Sequence, residues 1–206
     1  MTAMTDSTLA ARAPFAELAI SAAAGRGVRV ADRDGLGVAS VLLRKGQIAA
    51  LSERVRQRYG MELPHGPQRR VAGDVAFAGV GPEAWLATCE TGAHAFAPAL
   101  KEALGEAASV ADQSSGYAIL RLTGPKLRET LAKFLPIDLH PRAFERGAVA
   151  STTAAHVGAT LWRLHDAADG SPIFEIAVFR SLAGSFWHTL STSAAEFGFI
   201  REQRIS

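Results

Sequence analysis

One cysteine, Cys89, is all the thiol chemistry this 206-residue chain contains. A lone thiol excludes an intramolecular disulfide framework and any multi-thiolate zinc or iron–sulfur site, and it suits a reducing compartment, so the expected location is cytoplasmic. Charge of one sign is also scarce. The 22 Lys and Arg face 20 Asp and Glu, a formal +2, and that balance gives no reason to expect nucleic acid or a membrane surface as partner. Apolar runs are short: Leu18–Ala24 ends at Gly25-Arg26, well below the roughly 20 residues of a membrane span. The opening residues lack the basic start and continuous apolar core of a secretory signal. Residues 1–12 are small and polar, and read as a flexible leader.

Several catalytic signatures are missing as well. Gly35 and Gly37 have no third glycine at dinucleotide-fingerprint spacing, no phosphate-loop motif occurs, and a turn is the better reading of DGLG. His65, His94, His140, His156, His165 and His188 offer no pair three or four apart on a credible helix and no HExxH frame. No serine sits in a G-x-S-x-G elbow. Arg69-Arg70 and the arginines of the first helix read as a solvated face, because no strand carries the aromatic pattern of RNA-recognition strands.

What is present is a globular core. Hydrophobic residues make up 48% and charged residues 20%, enough for one large domain or two intimately packed halves. In the first half, Val38–Leu43 reads as a strand. A helix opens at Gly46, carries Ile48, Leu51, Val55 and Tyr59 at helical spacing, and stops at Gly60. Met61–Gln68 reads as a loop; Val71–Ala78 and Trp85–Cys89 read as two strands joined through Gly79–Pro82. A helix with Phe96, Leu100 and Leu104 follows, and Pro98 requires it to begin near His94 or later, because proline fits only the first turn. Val110 lies on a last short strand. The order β-α-β-β-α-β is that of a split βαβ, ferredoxin-like unit.

The second half predicts a strand at Gly116–Leu122, a helix at Lys126–Leu135, strands at Ala148–Ala154, Val157–His165 and Ile173–Phe179, and a closing helix at Leu182–Phe197. The expected fold is therefore α+β: two packed modules, about 26–113 and 114–206, forming one unit over 13–206.

Candidate residues are few. Cys89 reads as a buried, inert thiol. Asp112 and Ser114 read as a local turn cross-link, and His140, beside Asp138 and Pro141, as a hydrogen-bonding turn residue. Trp85, Trp162 and Trp187 stand out against an aromatic content of 7%. Core packing accounts for at least two of them. Because Trp and Arg are enriched in protein interfaces, Trp162, Arg163, Arg180 and His140 are the candidate subunit-interface residues. No catalytic, cofactor-binding or metal-binding residue is predicted.

Seven stretches occur in order over nearly the whole chain: GLGVASVLLRKGQ (35–47), YGMELPHGP (59–67), GPEAWLA (81–87), DQSSGYAILRLTGP (112–125), DLHPRAF (138–144), LWRL (161–164) and FEIAVFRS (174–181). Together they resemble the gamma subunit family of heterotetrameric sarcosine oxidases, relatives of the folate-binding aminomethyltransferase fold. The resemblance implies a subunit without catalytic groups of its own, in a complex with alpha, beta and delta subunits. FAD, FMN and NAD would lie in the larger subunits and zinc in the delta subunit. The complex would oxidise sarcosine to glycine, with hydrogen peroxide and a one-carbon unit passed to tetrahydrofolate or released as formaldehyde. In the aminomethyltransferase relatives, paired aspartates precede the stretch that LWRL resembles. Here Val157 and Gly158 fall there, and no acid lies between Gly147 and Leu164. That departure implies that the fold is kept and the folate site lost. The alternative, a stand-alone folate-binding or aminomethyltransferase-like protein, would need an acid facing a central cavity.

Overall fold

The structure, a computed structural model, describes residues 13–15 and 25–203, so residues 1–12 lie outside it. Two sheets dominate, one antiparallel and one antiparallel except for a single parallel pair. Apart from one strand, they divide the chain near residue 114.

The first sheet begins with β1's successor in the chain, so the two strands are best given together: β1 (Val28–Asp32) and β2 (Gly37–Leu43). Strand β2 leads into α1 (Ile48–Tyr59), which Gly60 stops in the left-handed conformation, its N–H donating to the Arg56 carbonyl. Then come β3 (Arg69–Ala72), β4 (Val75–Gly81), β5 (Ala84–Cys89), α2 (Ala93–Leu104) and β6 (Ala108–Asp112). The sheet order is β3-β4-β5-β2-β6, so β6-β2-β5-β4 reproduces the split βαβ arrangement and β3 adds an edge hairpin. That hairpin corrects the single strand expected over Val71–Ala78. Gly73, at φ 55°, and Asp74 form a two-residue turn in the middle of the run. A second correction concerns α2. It starts at Ala93, so Pro98 lies past the first turn, where its missing N–H leaves the His94 carbonyl without its usual helical donor.

The second half supplies β7 (Tyr117–Thr123), α3 (Leu127–Ala132), β8 (Val149–Ala154), β9 (Val157–Arg163), β10 (Ile173–Phe179), α4 (Ala183–Ala194) and β11 (Phe199–Arg201). Its sheet order is β11-β1-β7-β10-β9-β8. Strand β1, which by sequence belongs to the first module, crosses over to occupy the place beside β7, and β11 pairs with it in parallel through Val28↔Phe199. Neither β1 nor β11 is predicted from sequence. Helix α3 ends at Ala132 rather than Leu135, but its buried face is the expected one, with Leu127, Leu131 and Leu135 inside.

Period-two alternation sorts the side chains into three layers. In β10, Phe174, Ile176 and Val178 face α3 and α4, packed with Leu120, Leu122, Phe186 and Leu190. In β2, Ala39 and Val41 face α1 and α2, packed with Leu51, Leu100 and Leu104. The opposite faces of the two sheets meet each other through Val38, Ala78 and Leu86 on one side and Ile119, Trp162 and Ala177 on the other. Both sheets are thus covered on two sides. They are also stitched edge to edge, where Val149 N–H donates to the Pro67 carbonyl and Arg69 N–H to that of Gly147.

Candidate subunit interface

One acid lies inside the seam between the sheets. Glu175, on β10, is 2% exposed. The alternation that sends Phe174 and Ile176 to the helices sends Glu175 to the seam, where burial of a bare carboxylate would be prohibitive. Its hydrogen-bonding partners come from three segments. Oε1 accepts from Arg33 Nε at 2.7 Å, Arg121 Nε at 2.9 Å and Arg121 Nη2 at 2.8 Å; Oε2 accepts from the Trp162 indole N–H at 2.8 Å. Arg33 also donates to both oxygens of Glu90, at 2.6 and 2.5 Å. Arg69 lies over the Trp162 ring, 5.8 Å from its centroid. Burial pushes the Glu175 carboxyl up, but the charges of Arg121, Arg33 and Arg69 outweigh it and hold the group below its ordinary range. Both oxygens are engaged, so Glu175 is a structural anion here.

Glu175 had a readable signal that sequence reasoning passed over: it is the one charged residue in the apolar run Ile173–Phe179. A carboxylate that stays inside such a strand must be paired. The position that the aminomethyltransferase resemblance sets against paired acids is elsewhere. Val157 is buried among apolar residues, and Gly158 is exposed at the start of β9.

The interface candidates divide. Trp162 is 1% exposed and Arg163 6%, so neither offers a surface to another chain. Trp162 is fixed by Glu175. Arg163 reaches the Phe144 carbonyl at 3.0 Å through Nη1 and Asp166 at 2.9 Å through Nη2. Arg and Trp are enriched at interfaces, but both also serve buried polar networks, and here that second use prevails. His140 is exposed in a turn, its N–H donating to Asp138 Oδ1 at 2.8 Å, and Arg180 is half-buried at the end of β10. Trp187 belongs to the second core with Phe199, while the Trp85 indole donates to the Pro64 carbonyl at 2.9 Å. Cys89 is buried and free. Ser114 Oγ donates to Asp112 and accepts from the Val38 N–H, the local cross-link expected. Among the described residues, no three of His, Cys, Asp and Glu converge as a metal would require, and no helix is long and apolar enough to cross a membrane.

The surface instead carries an apolar furrow. A cleft of about 580 Å³ is lined by Leu43, Ile48, Pro64, Pro82 and Trp85. A second, of about 310 Å³, opens at the mouth of the seam between Leu42, Tyr117 and Phe179. Val80, Trp85 and Ser151 line both, so the two are continuous. Leu42, Ile48 and Phe179, which line it, are 53%, 42% and 51% exposed. Large apolar side chains grouped in this way mark an interaction site more often than a bare monomer surface.

Three comparisons with known proteins bear on what this surface serves. Residues 45–196 match the family described as sarcosine oxidase, gamma subunit. The sarcosine oxidase subunit gamma of Corynebacterium sp. strain U-96 is 36% identical over 172 residues, 78% of this chain and 80% of that one. Its namesake from strain P-1 is 40% identical over 122 residues, so the match spans 57% of each chain. Among solved structures, a chain of the heterotetrameric sarcosine oxidase of Corynebacterium sp. U-96, in complex with pyrrole 2-carboxylate, superposes with TM-score 0.76 at 27% identity, covering 95% of this chain and 98% of that one. The glycine cleavage system aminomethyltransferase T of Bartonella henselae matches at TM-score 0.59 and 16% identity over 81% of this chain and 46% of that one, a likeness of fold.

Proposed function

This chain belongs to the sarcosine oxidase gamma subunit family, and on that premise we propose that it is the non-catalytic subunit of a heterotetrameric, flavin-dependent complex that oxidatively demethylates sarcosine to glycine. The alpha, beta and delta subunits hold FAD, FMN, NAD and zinc, and the released one-carbon unit passes to tetrahydrofolate or leaves as formaldehyde, with hydrogen peroxide as the other product. The gamma chain supplies shape and surface, and the isolated chain is inactive. The observation that carries the non-catalytic part is the state of Glu175. It is the buried acid of the inter-sheet seam, yet both its oxygens are occupied by Arg33, Arg121 and Trp162. Its oxygens are thus engaged and its carboxyl is held below the ordinary range, so it has no reason to exchange a proton near neutrality. A folate reading would require an acid with a free oxygen.

The test is to tag the chain in its native cell and purify it gently. Larger subunits that copurify with a flavin spectrum and sarcosine-dependent peroxide release are expected. Sarcosine turnover or stoichiometric tetrahydrofolate binding by the isolated chain would overturn the assignment.

A further inference from the structure

Strand β3 places Arg69 opposite Ala78, which faces the seam between the sheets, so the Arg69 side chain enters the seam while Arg70, one residue on, stays exposed. Arg70 fits the solvated face read from the sequence; Arg69 does not. It is half-buried, with its guanidinium over the Trp162 ring. The groups around it are already matched to one another. Glu175 takes Arg33, Arg121 and the Trp162 indole, and Glu90 takes Arg33. Among the described residues, the Arg69 guanidinium has no hydrogen-bond acceptor and no ion pair; Glu175 and Glu90 act on it only at longer range. Burial is the largest influence on it and pushes its pKa down against those two charges. Three guanidiniums, of Arg33, Arg69 and Arg121, thus share two carboxylates here, an excess of one positive charge. A half-buried cation with unused donors costs free energy unless an anion answers it.

We propose that Arg69 is the receiving group of a carboxylate-binding site in the inter-sheet seam beside Trp162. Two features set the chemistry of the occupant. A guanidinium presents paired N–H donors in a fixed fork that matches a carboxylate through two parallel bonds, and contact with the Trp162 ring restricts its movement. The cluster lacks one negative charge, so a monoanion neutralises it, whereas a dianion such as sulfate would leave it negative. A small free carboxylate and an acidic side chain of a neighbouring subunit share this chemistry. The site stands on this chain's own residues and goes beyond the subunit reading.

The test titrates the full chain with acetate at constant ionic strength, sodium chloride making up the balance, and follows the Arg69 Nε–H and the Trp162 indole N–H by NMR. Both resonances should move in a saturable way. Arg69→Lys, which keeps the charge and loses the fork, should bind acetate at least about tenfold more weakly, read at the indole. Arg69→Gln should abolish the response; if that variant fails to fold, the lysine variant and the parent titration still decide. Resonances that move no further with acetate than with chloride overturn the proposal, and so does an unchanged affinity in Arg69→Lys. Tighter binding of sulfate than of acetate would mean unspecific charge attraction and would overturn it too. Where the free chain binds acetate, phenylglyoxal labelling of the complex, mapped by mass spectrometry, separates the two sources. Arg69 protected in the complex without acetate assigns the carboxylate to a neighbouring subunit; protection only on adding acetate assigns it to a small free carboxylate. Arg69 labelled equally in free chain and complex, with and without acetate, overturns the site. A chain that joins no complex takes down the subunit reading alone, and the acetate titration tests the site either way.

Discussion

Helix α1 has twelve residues and buries two of them, Leu51 and Val55; helix α3, in the corresponding place of the second module, has six and buries Leu127, Thr130 and Leu131. The second module also gathers the chain's distant segments: β1 and β11 complete its sheet, and Phe15 packs 5.7 Å from the Trp187 ring. The same order of elements thus yields two different surfaces. The second module is closed around a large aromatic core, and the first leaves a basic helix and an apolar lip exposed. One architecture thus gives two unlike surfaces, which is why fold alone is a poor guide to the role of either.

The sharpest way to break this comparison is to empty each core in turn. Phe186→Ala, at a fully buried site between α4 and Phe134, should destabilise the chain by about 3–5 kcal/mol. Leu100→Ala in the first core should lose about 2–4 kcal/mol. Because the sheets share a seam, calorimetry should show both losses as a shift of a single transition. Two separated transitions would show that the modules fold independently.

The seam itself comes next. Glu175→Gln removes the carboxylate that Arg33 and Arg121 share in a buried site, leaving Arg33 only Glu90, and should cost about 3 kcal/mol. The pH dependence carries its own sign. The Glu175 carboxyl is held below its ordinary range in the fold, so its stabilisation is complete above the unfolded value of about 4.3 and is lost as pH falls through the lower folded value. Urea midpoints measured from pH 7 down to pH 3 should therefore drop more steeply for the parent than for Glu175→Gln. Parallel curves would show that the acid sensitivity lies elsewhere.

These residues also show what was legible in the sequence. Strands β8 to β10, each paired with a neighbour in the chain, announce themselves through β-branched runs and turns, β2 through its aliphatic run although its partners β5 and β6 are distant, and α1 through its spacing and Gly60. Strands β1 and β11 do not, because each is short and its pairing joins residues far apart in the chain, Val28 with Phe199. The Gly73-Asp74 turn carries a readable two-residue hairpin signal between apolar runs, which the single-strand reading of Val71–Ala78 passes over. For the candidate site, His140 lies in a turn as expected, while Trp162 and Arg163, named there as interface candidates, are buried within this chain. Composition marks Trp and Arg as sticky without saying whether the partner is another chain or Glu175. The furrow was invisible because Leu42, Tyr117 and Phe179 become neighbours only when the sheets face each other.

Gly79 tests how tightly the open module is built. A Cβ there would lie 2.0 Å from the Gly66 carbonyl oxygen, so Gly79→Ala must push β4 away from the loop that forms one furrow wall. A loss of about 1–3 kcal/mol in urea unfolding is expected. An unchanged midpoint would show that β4 and the loop separate without cost.

The smallest effect compares two carboxylates held below their ordinary range by different means. Glu175, in the seam, depends on arginine charge. Asp112, on the rim of the first sheet, depends on hydrogen bonds from Ser114, whose Oγ donates to Oδ1 at 2.7 Å and whose N–H donates at 2.8 Å. Ser114→Ala removes the hydroxyl and also its acceptance of the Val38 N–H at 3.0 Å. The stability loss should be about 1 kcal/mol or less, since water can replace both bonds at this rim. The titration is the cleaner readout. In a carboxyl-detected NMR titration, Asp112 should move up toward the ordinary aspartate value in Ser114→Ala, while Glu175 stays where it is. An Asp112 that does not move would mean that the Ser114 N–H, which the substitution keeps, and not the hydroxyl sets its acidity.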